Sequence, residues 1–361
     1  MLTLSVLQTG FYSFTHMKVF RIFFGLLLVF LMGLLLYIFA VPATDFSDNE
    51  KVFILSKPIS KEKVLEEINQ QSILQFPLIF TIFYNIYGDW ESVQSGKYTI
   101  KKGTTLFQFA RMLKNSRKGV TKLVITKMRL KEEFARLISR QFIPDSASVM
   151  DFITNNDSLS TFGLDSSSFF TSVIPDTYEC YRNSTLPIIL AKLREGSERF
   201  WLQNNRLQLA QKWGLTTQQV YILASIVEEE TNYASDQSLI ASVYLNRLQK
   251  KMPLQACPTI KYALKDFSLT RIYEKYLTFP SPYNTYQRSG LPPGPICTPQ
   301  PATIDRVLHA PTTDYLFFVA KSDFSGYHHF SNSYAEHQRY AGDYQRALDA
   351  YQQKSKKLKN P

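Results

Sequence analysis

Three consecutive acids, Glu228, Glu229 and Glu230, close a helical pattern that begins at Thr216. Thr216 and Gln219 stand at capping-box spacing, which satisfies free backbone N–H groups at a helix start. Leu223, Ile226 and Val227 recur at i, i+3 and i+4, the mark of one buried face. Glu230 is the next member, at i+7, and two turns return it to within about 20° of Leu223. Glu228 and Glu229 point about 120–140° away from that face and are expected in water. A carboxyl along an apolar stripe loses hydration, which disfavours its charged form and raises its pKa. Such an acid, still protonated near neutral pH, can act as a general acid. A frayed helix end would instead leave all three acids exposed.

The elements that must position this acid belong to a chain of 361 residues, enough for two or three small domains. A hydrophobic content of 45% fits a folded protein. The formal net charge is +11, but the basic residues are spread out, with one cluster in the tail at Lys354, Lys356, Lys357 and Lys359. No nucleic-acid-binding motif focuses them, so no nucleic-acid partner is expected. An anionic membrane or cell wall suits them as well. The 3 cysteines, Cys180, Cys257 and Cys297, lack metal-ligand spacing and form no disulfide framework, so neither metal nor cofactor is expected. A Cys257–Cys297 pair needs the fold to bring the two together.

Residues 22–41 carry no charge and are long enough to span a bilayer as a helix. A buried helix or a cleaved signal peptide would have a shorter or more amphipathic apolar run. Lys18 and Arg21 precede it and Asp45, Asp48 and Glu50 follow. The positive side prefers the cytoplasm, so residues 1–21 are expected as a cytoplasmic tail and the rest outside the inner membrane. The segment before Met17 reads either as part of that tail or as an over-long start.

From residue 50 the pattern is α+β. Lys51 to Leu55 is a short strand and Ser60 caps a helix through Val64, Leu65 and Ile68. Ser95-Gly96 leads into the strand Lys97 to Ile100, then a turn at Gly103, then a helix whose start carries Thr105 and Gln108 at capping-box spacing. Tyr98, Ile100, Gly103, Thr105, Leu106, Phe109 and Ala110 resemble the LysM carbohydrate-binding pattern. A second strand and helix, Lys122–Ile125 and Leu130–Ile138, reads as a degenerate copy, which sets a boundary near residue 140. Residues 143–172 read as loops with short helices, and Pro175 to Tyr178 as a turn before a helix over 187–201. Ser281 to Tyr286 and Gly290 to Ile296 read as rigid loops of the kind that carry binding groups. Tyr315 to Ala320 reads as a buried strand, and 332–353 as the closing helix.

Five tracts then stand in order: IPDTYE at 174–179, LASIVEEET at 223–231, YLNRL at 244–248, SPYNTY with GLPPGPI at 281–296, and HHFS at 328–331. Together they resemble the endolytic murein transglycosylase family over roughly 50–355. The resemblance implies an α+β protein with an N-terminal transmembrane helix (22–41), a LysM-like subdomain (50–140) and a larger catalytic domain (141–355). Aligned on the family's acidic motif, Glu230 is the catalytic acid and Glu228 a supporting one. Glu229 replaces a family Lys, and Cys257 stands where the family has Asp.

The resemblance implies cleavage of the β-1,4 bond between N-acetylmuramic acid and N-acetylglucosamine within peptidoglycan strands, beside the synthases that extend them. The sugar's C6 hydroxyl attacks C1 and leaves a 1,6-anhydro end, so one acid suffices for both proton transfers. Glu228 and Glu230, at i and i+2, face apart and cannot pair on a straight helix. Asn246 falls on the buried side of its helix, where it holds Glu230 or a sugar N-acetyl group, or is satisfied by backbone. Gln255, Tyr283, Asn284 and Tyr286 are candidate sugar contacts. His328 is either a hydrogen-bond donor behind the site or a surface residue at a strand end. Two rival readings stay open: a muramidase-like hydrolase, which needs a second carboxylate such as Asp176 or Glu179, and a membrane-anchored glycan-binding scaffold without activity.

Overall fold

Apolar patterning of the first 120 residues produces one long helix and a small α+β layer. The computed structural model describes residues 5–44, 46–55, 59–87, 92–93, 96–115, 120–269 and 271–359. Ser95 and the side chains of the tail lysines lie outside them. The chain divides into two compact units, one of residues 1–120 with 181–183, the other of 121–180 and 184–361.

The first unit opens with α1 (Ser5–Ala40), within which Phe20–Ala40 is long and apolar enough to cross a membrane. Its 21 residues span about 30 Å. Then come β1 (Glu50–Leu55), β2 (Ile59–Ser60), α2 (Lys61–Gln70), α3 (Pro77–Tyr87), β3 (Ser92–Val93), β4 (Gly96–Lys101) and α4 (Leu106–Asn115). β1 pairs antiparallel with β4, placing Phe53 opposite Tyr98. Strand alternation sends Phe53, Leu55, Tyr98 and Ile100 into the core, where they meet Val64, Phe80 and Phe109. Gly103 takes φ +82°, a left-handed turn that glycine adopts without strain. Thr105 and Gln108 exchange the two capping-box hydrogen bonds that start α4. Ser60 occupies the cap position of α2, but its side chain makes no capping hydrogen bond.

The second unit has two buried clusters. One gathers β5 (Val120–Val124), α5 (Lys131–Gln141), α6 (Ser146–Thr154), α7 (Asn156–Ser160), a 3-10 turn (Phe169–Ser172), β6 (Thr177–Tyr181) and α8 (Leu186–Leu202) around Phe134, Ile138, Phe169 and Leu193. Leu123, Ile125 and Phe134 thus belong to this core, and the units divide at 120/121 instead of near 140. Pro175 to Tyr178, read as a turn, instead runs into β6, because it pairs with β5.

The other cluster is built by α9 (Arg206–Lys212), α10 (Thr217–Glu230), α11 (Ala234–Gln249), α12 (Cys257–Leu264) and α14 (Pro301–Leu308); α13 (Glu274–Leu277) buries no residue, and β7 (Phe317–Ala320), β8 (His328–Ser331) and α15 (Tyr334–Lys359) complete the unit. α10 packs against α11, α12 and α14. Its Leu223, Ile226 and Val227 are fully buried, each stabilising the fold by about 1.5–3 kcal/mol. β7 and β8 form an antiparallel hairpin. β7 is half-buried, not buried as its apolar run suggests, because its pairing partner is β8 alone. One of its faces meets Tyr244 through Phe318, and the other meets Tyr334 and His337 through Phe317.

Candidate active site

The start of α10 is fixed by its capping box: Thr216 Oγ1 accepts from the Gln219 N–H at 3.2 Å and Gln219 Oε1 from the Thr216 N–H at 2.9 Å. Farther along, the Tyr221 hydroxyl donates to the Val173 carbonyl at 2.6 Å, and Ser225 Oγ accepts from the Ile296 N–H at 3.0 Å. The first ties the helix that ends in the three acids to the chain entering β6, and the second seats the 290–296 loop on it.

Glu230 is the last residue of α10 and is half-buried. The Tyr244 hydroxyl of α11 donates to its Oε1 at 2.5 Å. Burial raises the Glu230 pKa to about 7. The Tyr244 hydrogen bond and the Lys261 charge pull it down, and Glu229 pushes it up. The C-terminal end of a helix carries partial negative charge, which also opposes a carboxylate.

Glu228 and Glu229 are not solvated. Their side chains are each 10% exposed, because the faces they point to are covered by residues 127–129 and α14. Glu229 pairs with Lys127 at 2.7 Å and with Arg129 at 2.8 Å. Burial raises its pKa, but hydrogen bonds from Arg129 and Lys127 outweigh that and hold it below its ordinary value. Glu228 accepts from the Thr303 hydroxyl. Two neighbouring acids thus have opposite assignments: Glu229 fixed as an anion, Glu230 poised to carry a proton.

The YLNRL tract supplies more than the sequence shows. Tyr244 holds Glu230, Asn246 Nδ2 donates to the Thr313 and Tyr315 carbonyls at 2.9 Å, and Arg247 Nε donates to the Leu316 carbonyl at 2.6 Å. Asn246 thus has its amide satisfied by backbone, and with Arg247 it ties α11 to the chain entering β7. Arg247 also reaches the Pro253 and Leu254 carbonyls and Gln255 Oε1. Neither Tyr244 nor Arg247 stood among the expected site residues, although both lie in a tract singled out for other reasons.

Gln255 is exposed and left-handed (φ +53°), and its N–H donates to the Thr285 carbonyl. Tyr286 is half-buried, with its hydroxyl 3.1 Å from Cys257 Sγ. Burial raises the Cys257 pKa, and the charge of Glu230 raises it further. All three cysteines are free. Tyr283 is half-buried against Tyr262, ring centroids 4.8 Å apart. Asn284 departs from expectation. It is 0% exposed, and its amide donates to the Leu277 and Phe279 carbonyls and accepts from the Tyr286 N–H. It shapes the loop from within and presents nothing to a ligand.

His328 is half-buried, and Asp236 Oδ2 receives both its N–H and its Nδ1 at 2.8 and 2.9 Å. A carboxylate at Nδ1 places the proton there and leaves Nε2 as the second ring function. The His328 ring reaches Tyr244 only through Phe318. Asp176 and Glu179 line a separate cavity of about 500 Å³ with Lys192 and Arg199. The charges that act on Glu230 are those of Lys261 and Glu229, not theirs.

This arrangement offers one carboxyl with a pKa raised to about 7, held by the Tyr244 hydroxyl, with Tyr286 and Cys257 within reach of its charge. A profile of the YceG-like family matches residues 55–343. An endolytic murein transglycosylase of Bacillus subtilis is 33% identical over 225 residues, covering 62% of this chain and 59% of that protein. One from Streptococcus pneumoniae is 35% identical over 129 residues, covering 35% of this chain and 23% of that protein. The chain thus spans less than two thirds of the length of these relatives. A crystal structure of a yceG-like protein from Listeria monocytogenes shares the fold, with a TM-score of 0.54 at 21% identity, over 81% of this chain and 99% of that one.

Proposed function

The chain belongs to the YceG-like family, and from that membership we propose that it is a membrane-anchored endolytic lytic transglycosylase of peptidoglycan. It cuts the bond between N-acetylmuramic acid and N-acetylglucosamine inside a strand and leaves a 1,6-anhydro-muramyl end. The observation that carries this reading is Glu230: a carboxyl with a pKa of about 7, held by Tyr244.

Glu230 first donates its proton to the glycosidic oxygen, which leaves with the N-acetylglucosamine. The C6 hydroxyl of the muramyl residue then bonds to C1 and returns its proton to Glu230. The acid ends as it began and no water enters. A pKa near the working pH serves both directions of transfer. Lys261 steadies the carboxylate between the two steps. Gln255, Tyr283, Tyr286 and His328 contact the sugars, Glu228 supports the helix end, and Asn246 acts through the backbone it holds.

The anchor is the helix Phe20–Ala40, and Lys18 and Arg21 keep its start on the cytoplasmic side. The active site then faces the extracytoplasmic peptidoglycan, where its cuts end strand elongation beside the synthases. The LysM-like segment supplies glycan affinity. It is supported by the order β4, left-handed Gly103, α4, with Tyr98, Ile100, Leu106, Phe109 and Ala110 all in the core.

Mass spectrometry of products from purified peptidoglycan tests this. Anhydro-muramyl ends are expected, absent with Glu230→Gln. Products carrying one added water would identify a hydrolase instead. Equal release of soluble glycan by Glu230→Gln and the parent would show that Glu230 is not the catalytic acid, and no release by the parent would leave only a glycan-binding scaffold.

A further inference from the structure

A cavity of about 650 Å³ lies in the second unit, between α5, the 154–167 segment and the aromatic pair Tyr262 and Tyr283. Its size is that of a site for a small ligand. Its polar groups have uneven partners. Glu132 pairs with Lys265 at 3.2 Å, and Asp165 Oδ1 accepts from the Ser167 hydroxyl at 2.6 Å and from the Ser168 N–H at 2.8 Å. The Lys131 ammonium has three hydrogens, and among the described residues its one hydrogen bond goes to the Ser166 hydroxyl at 2.5 Å. Burial lowers the Lys131 pKa although Asp165 and Glu132 oppose that and Lys265 adds to it. A half-buried ammonium without a direct carboxylate partner among the described residues, beside two phenol rings tilted at 49°, asks for an anion joined to an apolar-faced ring.

Neighbours of the cavity lining act on the acids that end α10. Arg129 binds Glu229, and Lys131 follows it by two residues, a span of at most about 7 Å. The charge of Lys261 acts on Glu230, and Tyr262 is the next residue. The rim also lies close against the 290–296 loop: a side chain at Gly294 would meet the Ser167 carbonyl oxygen at 2.0 Å, and the Ser167 hydroxyl oxygen is 3.2 Å from the Pro293 carbonyl.

We propose that this cavity is a subsite for a peptide-bearing muramyl residue next to the pair that is cleaved. The sugar ring lies against Tyr262 and Tyr283, and a carboxylate of the stem peptide bonds to Lys131. The proposal rests on the reading of the chain as a peptidoglycan-cleaving enzyme, and it makes the enzyme selective for strands that keep their peptides.

The test measures binding of glycan strands to the full-length Glu230→Gln protein in detergent, so that nothing is cut. Two ligands are compared: peptide-bearing strands, and the same strands stripped of peptide by an amidase, with the lactyl carboxylate that this exposes then converted to an amide. Peptide-bearing strands should bind about tenfold tighter, the worth of one charge-assisted hydrogen bond. Adding Lys131→Met should erase that preference and leave stripped strands unaffected. Thr154→Trp, at an exposed rim position, should fill the cavity and weaken both ligands. Equal binding of the two ligands, equal weakening of both by Lys131→Met, or no binding overturns the subsite. Failure of the enzymatic reading shows separately, as no Glu230-dependent cleavage by the parent protein.

Discussion

The Tyr244 hydroxyl lies 2.5 Å from Glu230 Oε1 and donates its hydrogen to it. This bond joins the end of α10 to the middle of α11 and sets the carboxyl against the pull of its own burial. Burial favours the neutral acid and the Tyr244 hydrogen bond favours the carboxylate. In the proposed mechanism cleavage starts from protonated Glu230, so activity should fall as pH rises through about 7. In Tyr244→Phe the carboxylate loses its donor, and that alkaline limb should move to higher pH. The turnover number should also drop by roughly 10–100-fold as the carboxyl loses its orientation. Rate profiles between pH 5 and 9 check both; a limb that moves to lower pH would refute the assignment.

The same carboxyl makes folding stability depend on pH. Its native pKa of about 7 lies above the ordinary 4.5, so the native state holds a proton that the unfolded chain releases. The stability this contributes is complete below pH 4.5 and is lost as pH rises through 7. The shift corresponds to about 3 kcal/mol between the two limits. Glu230→Gln does not titrate, so relative to the parent it should gain stability from pH 4.5 to 8 by an amount of that order. Urea unfolding at the two pH values reads it, and an unchanged difference between the proteins would mean that Glu230 is not buried as an acid.

What the sequence disclosed about this site follows from what helical spacing can express. The direction of Glu230 was legible, because Leu223, Ile226 and Val227 fix a face and Glu230 continues it. So were both capping boxes, which are local. The coverage of Glu229 was not, since Arg129 lies 100 residues away. Nor was the Tyr244 bond, since it depends on how two helices are set against each other. Asn284 shows the converse: an amide in a proline-rich tract has the chemistry of a sugar contact, but chain packing turns it inward. In β7 the apolar run gave the strand correctly but overstated its burial, because strand neighbours are a tertiary fact.

Cys257 gives a third handle on the acid. It opens α12, its thiol is 3.1 Å from the Tyr286 hydroxyl, and its titration is coupled to Glu230. Cys257→Asp places a carboxylate there, to which the Tyr286 hydroxyl can donate. A second negative charge disfavours ionisation of Glu230, so the alkaline limb should move to higher pH. The profile compares the variant with Cys257→Ser, which adds no charge and should leave the limb in place. A limb shifted equally by both substitutions would trace the effect to packing instead.

Asn284 separates loop architecture from sugar contact. Its amide joins the Leu277 and Phe279 carbonyls to the Tyr286 N–H, all inside the loop that carries Tyr283 and Tyr286. Asn284→Ala removes these bonds and leaves buried polar groups without partners, a cost of about 1–3 kcal/mol. The melting temperature should fall accordingly. Because the loss acts through the placement of Tyr286, binding of glycan should weaken in step with loss of order in the loop, seen as faster amide exchange over 277–286. Asn284→Asp should do worse than Ala, since it buries an acceptor, or a charge, against two carbonyls. If Asn284→Ala melts with the parent yet loses glycan affinity, the amide touches sugar after all, and the loop must open to let it.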